Sequence, residues 1–134
     1  MIGASQLDAR LNPASTAPLA VGLSGGGDSV ALLALTAGWA RRHGRRVVAL
    51  TVDHRLQAES ADWSRFACEI AARFGAEHRV LPWTGPKPLT GLPAAARRAR
   101  HALLAEAARA VGARVLLLGH TADDRLEAAF MRAE

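Results

Sequence analysis

Four short strand-like runs, three of them apolar, each ending in a polar or glycine-rich stretch and followed by a segment of helical periodicity, limit what this chain can fold into. They are LAVGLS (19–24), RVVALTVD (46–53), EHRVLPW (77–83) and RVLLLGH (114–120). The first two, nearly all apolar, suit strands buried on both faces, as in a parallel sheet covered by helices; EHRVLPW reads as a third, shorter strand and RVLLLGH as the fourth. The intervening segments supply the helices. The first is predicted from Asp28 to about Arg42, with Val30, Leu33 and Ala37 at helical spacing. In the second, from Ser60, the residues Trp63, Phe66, Ala67, Ile70, Ala71 and Phe74 recur at i, i+3, i+4, i+7, i+8 and i+11 up to Gly75. An alanine-rich third helix is expected from about Ala94 to Val111, stopped by Gly112, and a fourth within TADDRLEAAFMRAE (121–134). Strands alternating with helices predict an α/β fold: a doubly wound, mostly parallel sheet with helices on both faces.

The 134 residues suffice for one core, so a single domain is expected, with residues 1–18 as an N-terminal extension and 19–134 as the α/β domain. The lone Cys68 rules out a disulfide framework or a multi-cysteine metal site within the chain. It is expected to pack on the second helix, and Trp39 and Trp63 to lie in the core or between helices. No apolar run nears the ~18 residues of a membrane span, and residues 1–18 do not read as a secretory signal, so a cytoplasmic location without membrane contact is expected. The net charge is +5, and all 17 basic residues but Lys87 are arginine. That charge permits a polyanionic partner such as RNA, although a GC-rich coding sequence produces the same arginine–alanine bias.

In open sheets of this kind ligands bind beyond the carboxyl ends of the strands, where strand order reverses. The residues to read are therefore Ser24–Ser29, Asp53–Arg55, Trp83–Lys87 and His120–Asp124. In Ser24-Gly25-Gly26-Gly27-Asp28-Ser29, successive glycines let backbone amides converge on an anion at a helix N-terminus, and the two serines add hydroxyl donors. The run matches neither the lysine-bearing Walker loop nor the dinucleotide fingerprint. A tight turn with a capping Asp28 is the structural alternative, but three adjacent glycines are costly unless backbone access is wanted. A carboxylate beside polyphosphate would repel it unless a divalent cation lay between them. The run therefore reads as a pyrophosphate site with Mg²⁺ held at Asp28.

At the second strand end, Asp53 can accept from a ribose or an amine, and backbone at Val52 and Asp53 can read an adenine. A polar strand end without a role is the alternative. In GHTADDRLEAAFMR (119–132), His120, Asp124 and Glu127 fall at i, i+4 and i+7, one narrow stripe if the segment is helical. A solvated polar stripe would look the same, but this one begins at the edge that carries the glycine run. Arg97, Arg98 and Arg100 near a helix start oppose the macrodipole preference for acids there, or simply form a basic surface.

SGGGDS at the end of a first strand resembles the PP-loop of the ATP pyrophosphatases. VDHRLQAES (52–60), GHTADDRLEA (119–128) and ARRARH (96–101) look like the corresponding stretches of the tRNA(Ile)-lysidine synthases within that group. Arg55, Gln57, His101 and Ala128 depart from the family's usual Gly, Arg, Tyr and Thr. The resemblance implies a Rossmann-like, adenine nucleotide α-hydrolase-like fold. It also implies a two-step reaction in which ATP adenylates the wobble cytidine of tRNA(Ile), and free L-lysine then displaces AMP to give lysidine. It assigns ATP to Ser24, Gly25, Gly26, Gly27, Asp28, Ser29, Val52 and Asp53, magnesium to Asp28, and lysine to Asp124 and Glu127. Catalytic roles fall to Arg100, His120 and Asp124, with His120 contacting either phosphate or the activated base. Chains of that family continue beyond Glu134, so a C-terminal truncation relative to them is expected; a homodimer is allowed. The competing readings are another PP-loop enzyme of thiolation or amidation type, a non-catalytic nucleotide-binding module, and a remnant that folds but binds nothing.

Overall fold

The computed structural model describes residues 7–8, 11–23, 27–53, 59–82, 92–120 and 125–128. In chain order these residues form β1 (Leu19–Gly22), α1 (Gly27–His43), β2 (Val47–Asp53) and α2 (Glu59–Arg73). There follow β3 (Glu77–Pro82), α3 (Leu92–Ala110), β4 (Leu116–His120) and β5 (Arg125–Ala128). The strands lie in the order β3-β2-β1-β4-β5. The first four are parallel, and β5 returns antiparallel along β4.

Side chains alternate across the sheet with period two, and each side meets different helices. Leu19, Val21, Val47, Ala49 and Leu117 pack with Leu32, Leu33 and Trp39 of α1 and with Ala67, Ile70 and Ala71 of α2. On the other side Ala20, Val48, Leu50, Leu116 and Leu118 pack with Leu104 and Ala108 of α3. This division is what right-handed crossovers require. The steps β1 to β2 and β2 to β3 run one way along the sheet, whereas β3 to β4 runs back past β1 and must cross the opposite face.

Described residues that precede β1 belong to the packed body. Leu7 and Leu11 are buried on the α1–α2 side. Trp39 Nε1 donates to the Asp8 carboxylate at 2.8 Å, and the Trp39 ring stacks on His43 with centroids 3.8 Å apart. The buried Arg45 donates to the carbonyls of Ala17 at 2.8 Å and Asn12 at 3.1 Å. Trp39 is thus in the core, as its place on a helix predicts.

Helices α1, α2 and α3 end with one device. Gly44, Gly75 and Gly112 have φ of 66°, 72° and 86°. The amide that follows each donates back to a carbonyl five residues earlier: Arg45 to Ala40, Ala76 to Ala71 and Ala113 to Ala108, each at 2.9 Å. This closure satisfies an orphan carbonyl and turns the chain directly towards the next strand.

The structure departs from the sequence reading at two places. Residues Arg125–Ala128, expected within a fourth helix, form β5. The stretch Arg-Leu-Glu-Ala alternates polar and apolar, so it satisfies the strand period as well as the helical one. Pairing with β4 then decides, because β4 would otherwise present an open row of backbone donors and acceptors. Second, Cys68 is exposed rather than packed, and Phe66, expected on the apolar stripe of α2, is 51% exposed. The buried positions Ser64, Ala67, Ile70 and Ala71 span about 120° of the helix, and Phe66 and Cys68 lie just outside its two borders. The Trp63 side chain is outside the described residues.

Two glycine substitutions should have opposite signs. A Cβ at Gly38, within α1, meets only Arg42 Nη1 at 3.8 Å, so Gly38→Ala should stabilise by about 0.5–1 kcal/mol. Gly75→Ala should cost about 1–2 kcal/mol, because the alanine must hold a left-handed backbone. Urea unfolding midpoints of the two variants check both.

Candidate functional site

Strand order reverses between β1 and β4: β2 and β3 extend to one side of β1, β4 and β5 to the other. In open sheets the ligand crevice lies beyond the carboxyl ends of the strands at such a reversal; here β1 leads into a helix, whereas β4 leads into the antiparallel β5. Register brings the strand ends to a common level. Gly22 pairs with Leu50, so β2 continues to Asp53 three residues further. Val21 pairs with Leu117, so β4 continues three residues further to His120. Only residues 24–26 separate Leu23 from α1, which opens with Gly27, Asp28 and Ser29. The N-terminus of this 17-residue helix adjoins the β1–β4 reversal, and its far end carries Arg41, Arg42 and His43. Basic residues there complement the negative pole of the helix and leave its positive pole at the crevice.

A hydrogen-bond chain that sequence reasoning missed anchors the end of β1. The Leu23 N–H donates to the Leu50 carbonyl at 2.8 Å. The Leu23 carbonyl accepts from the buried Thr51 hydroxyl at 3.0 Å, and Thr51 Oγ1 lies 2.9 Å from His78 Nε2. A carbonyl can only accept, so the single hydroxyl proton of Thr51 goes to Leu23, and His78 Nε2 must be the donor to Thr51. Burial pushes the His78 imidazole below its ordinary pKa of 6.5, which favours the neutral ring. The parallel register Ala49↔His78 puts His78 diagonally across from Thr51 on the same side of the sheet. No spacing rule links a threonine in β2 to a histidine in β3. The only available sign was Thr51 within the apolar part of β2, since His78 stands between the charged Glu77 and Arg79 in β3.

The predicted site residues are distributed as follows. Ser29 is buried in the first turn of α1, Val52 is half-buried near the end of β2, and Arg100 is half-buried in the half of α3 that follows β3. Gly27 and Asp28 open α1, Asp53 ends β2 and His120 ends β4, so the backbone gathers these elements at one sheet edge. Ser24, Gly25, Gly26 and Asp124 lie outside the described residues, as do His54, Arg55 and Lys87. His120, Asp124 and Glu127 do not share one helix: His120 is in β4, paired with Arg125, and Glu127 is in β5, paired with Leu118. Among the described residues no three His, Cys, Asp or Glu side chains come together. A surface depression of about 650 Å³ runs along α3, lined by Arg98, His101, Ala102, Ala105, Glu106 and Arg109. No helix of the described residues is long and apolar enough to cross a membrane.

Comparison with known proteins places these observations. The family described as PP-loop domain matches residues 2–134. A tRNA(Ile)-lysidine synthase of Caulobacter vibrioides is 62% identical over 128 residues, covering 96% of this chain and 31% of that protein. One of Bradyrhizobium diazoefficiens is 50% identical over 131 residues, covering 96% of this chain and 36% of its own length. The chain thus spans about a third of the length of these curated relatives. Among solved structures, a U34-tRNA thiolase of Methanococcus maripaludis superposes with a TM-score of 0.75 at 19% identity, over 90% of this chain and 45% of that one. An NMN synthetase of Francisella tularensis gives a TM-score of 0.58 at 20% identity, over 84% and 48% of the two chains. At these identities the likeness concerns the fold.

Burial of the His78 imidazole makes stability depend on pH. With its pKa lowered by burial, folded His78 binds a proton less readily than the unfolded chain does. Between the lowered value and 6.5 the unfolded state therefore holds more protons, and stability rises with pH. Urea unfolding midpoints should fall as pH drops through 6.5, and His78→Gln should flatten that slope.

Proposed function

Since the chain belongs to the PP-loop domain family, we propose that it is the ATP-using part of a tRNA(Ile)-lysidine synthase. In this reading it adenylates the wobble cytidine of tRNA(Ile) and then transfers L-lysine to that base, releasing pyrophosphate and AMP. The observation that carries the nucleotide part is the opening of α1 with Gly27, Asp28 and Ser29 beside the β1–β4 reversal. The choice of lysidine synthesis over thiolation or amidation rests on the names of the curated relatives and on the stretch GHTADDRLEA.

Backbone amides of Gly25, Gly26 and Gly27, the hydroxyls of Ser24 and Ser29 and the positive pole of α1 bind the β and γ phosphates. Val52 and Asp53, at the end of β2, hold the adenosine. The donor chemistry suits a hard cation, since a lone carboxylate beside phosphate oxygens is an Mg²⁺ environment, and Asp28 would hold it. When bound, the metal neutralises charge on the departing pyrophosphate. Arg100 adds positive charge for the adenylation step, and His120 at the end of β4 contacts the phosphate or the activated base. Asp124 and Glu127 bind the cationic lysine, and a carboxylate or imidazole at this edge takes the proton its amine must lose before attack.

Release of pyrophosphate from α-labelled ATP, measured with and without lysine and tRNA(Ile), tests the reading. AMP that appears on the tRNA and is displaced by lysine supports it; binding without turnover favours a sensor module. Asp28→Ala should reduce magnesium-dependent nucleotide binding below detection. Asp124→Ala should slow lysine transfer about 100-fold, the scale of losing one partner of a charge-paired contact, while adenylation changes far less. Equal loss of both steps would refute the role given to Asp124.

A further inference from the structure

We propose that Thr51 and His78 are positioning residues for the glycine run, bracing the last β1 peptide so that residues 24–29 leave the sheet in one direction. The inference rests on the nucleotide reading of that edge, and it assigns a task to two residues outside the predicted site.

The brace holds both ends of one residue. The N–H of Leu23 is tied to the Leu50 carbonyl at 2.8 Å and its carbonyl to the Thr51 hydroxyl at 3.0 Å, so β2 grips Leu23 through backbone and side chain together. Leu23 itself is 1% exposed, which leaves water little access to replace the Thr51 contact. His78 then gives the hydroxyl a direction: by donating from Nε2 at 2.9 Å it occupies an oxygen lone pair and turns the lone hydroxyl proton towards Leu23.

Packing alone does not call for this arrangement. Valine would fill the same volume as Thr51 without burying a hydroxyl, and an apolar residue at 78 would serve the sheet equally well. The effect is concentrated on the glycine run because only residues 24–26 lie between Leu23 and α1. Fixing both backbone groups of Leu23 sets the direction in which the chain leaves β1. Phosphate binding by converging amides demands such direction, since ordering the run at the moment of binding would subtract from affinity.

Thr51→Val keeps the shape and removes the proton, whereas Thr51→Ser keeps the proton. His78→Gln retains a side-chain N–H donor, whereas His78→Leu has none. Amide hydrogen exchange of residues 24–29, referenced to α3, reads the brace without any ligand. Exchange should rise about fivefold in Thr51→Val and less in His78→Leu, the scale of one net hydrogen bond, and return towards wild type in Thr51→Ser and His78→Gln. Calorimetric titration with MgATP should show a matching loss of about fivefold in affinity for Thr51→Val and recovery in Thr51→Ser. Unchanged exchange at 24–29 in Thr51→Val, an equal rise in α3, or no rescue by serine would overturn the brace. If the exchange pattern appears and wild type does not bind MgATP, the brace stands and the nucleotide reading falls.

Discussion

Right-handed crossovers carry α1 and α2 to one face of the sheet as the chain steps from β1 to β2 to β3, and the same handedness sends α3 to the other face on the return to β4. The strand-order reversal between β1 and β4 is a property of this topology and not of any side chain at the edge. Everything assigned to the edge depends on it. The glycine run departs from β1, the positive pole of α1 adjoins it, and the ends of β2 and β4 reach the same level. Three glycine-terminated helices keep the chain tight on the opposite side, where each helix passes into its strand without slack.

The electrostatic character of the edge comes mainly from backbone. The first-turn amides of α1 have no carbonyl partners within the helix, and the basic residues Arg41, Arg42 and His43 cluster at its other end. Under the proposed function, a carboxylate at Asp28 is compatible with polyphosphate only when a cation screens the two. The account therefore turns on a balance between helix pole, carboxylate and metal, without the lysine that other phosphate loops rely on.

Most of the fold was legible because its strands are short, apolar and bounded by glycine or charge, and its helices repeat apolar residues at the right spacing. Strand and helix limits fall within two or three residues of those read from the sequence. Residues 125–128 were not legible, since Arg-Leu-Glu-Ala fits both periods and only an open β4 edge distinguishes them. Phe66 and Cys68 were misassigned because apolarity says which residues can be buried, not how wide an arc a helix has covered over the sheet border. For the candidate site, the sequence proposes the glycine run and the strand-end residues, and the described backbone sets Gly27–Ser29, Asp53 and His120 at one sheet edge. The sequence could not reveal Thr51 and His78, whose partnership is a matter of register between two strands.

The central claim is that nucleotide phosphates sit at the N-terminus of α1, between the ends of β1 and β4, with a divalent cation between them and Asp28. A crystal structure of the chain soaked with a non-hydrolysable ATP analogue and Mn²⁺ tests it most directly, because the anomalous signal of manganese locates the metal. The account predicts a manganese peak beside Asp28, with the triphosphate against residues 24–29. Triphosphate density elsewhere, for example along the arginines of α3, would contradict it.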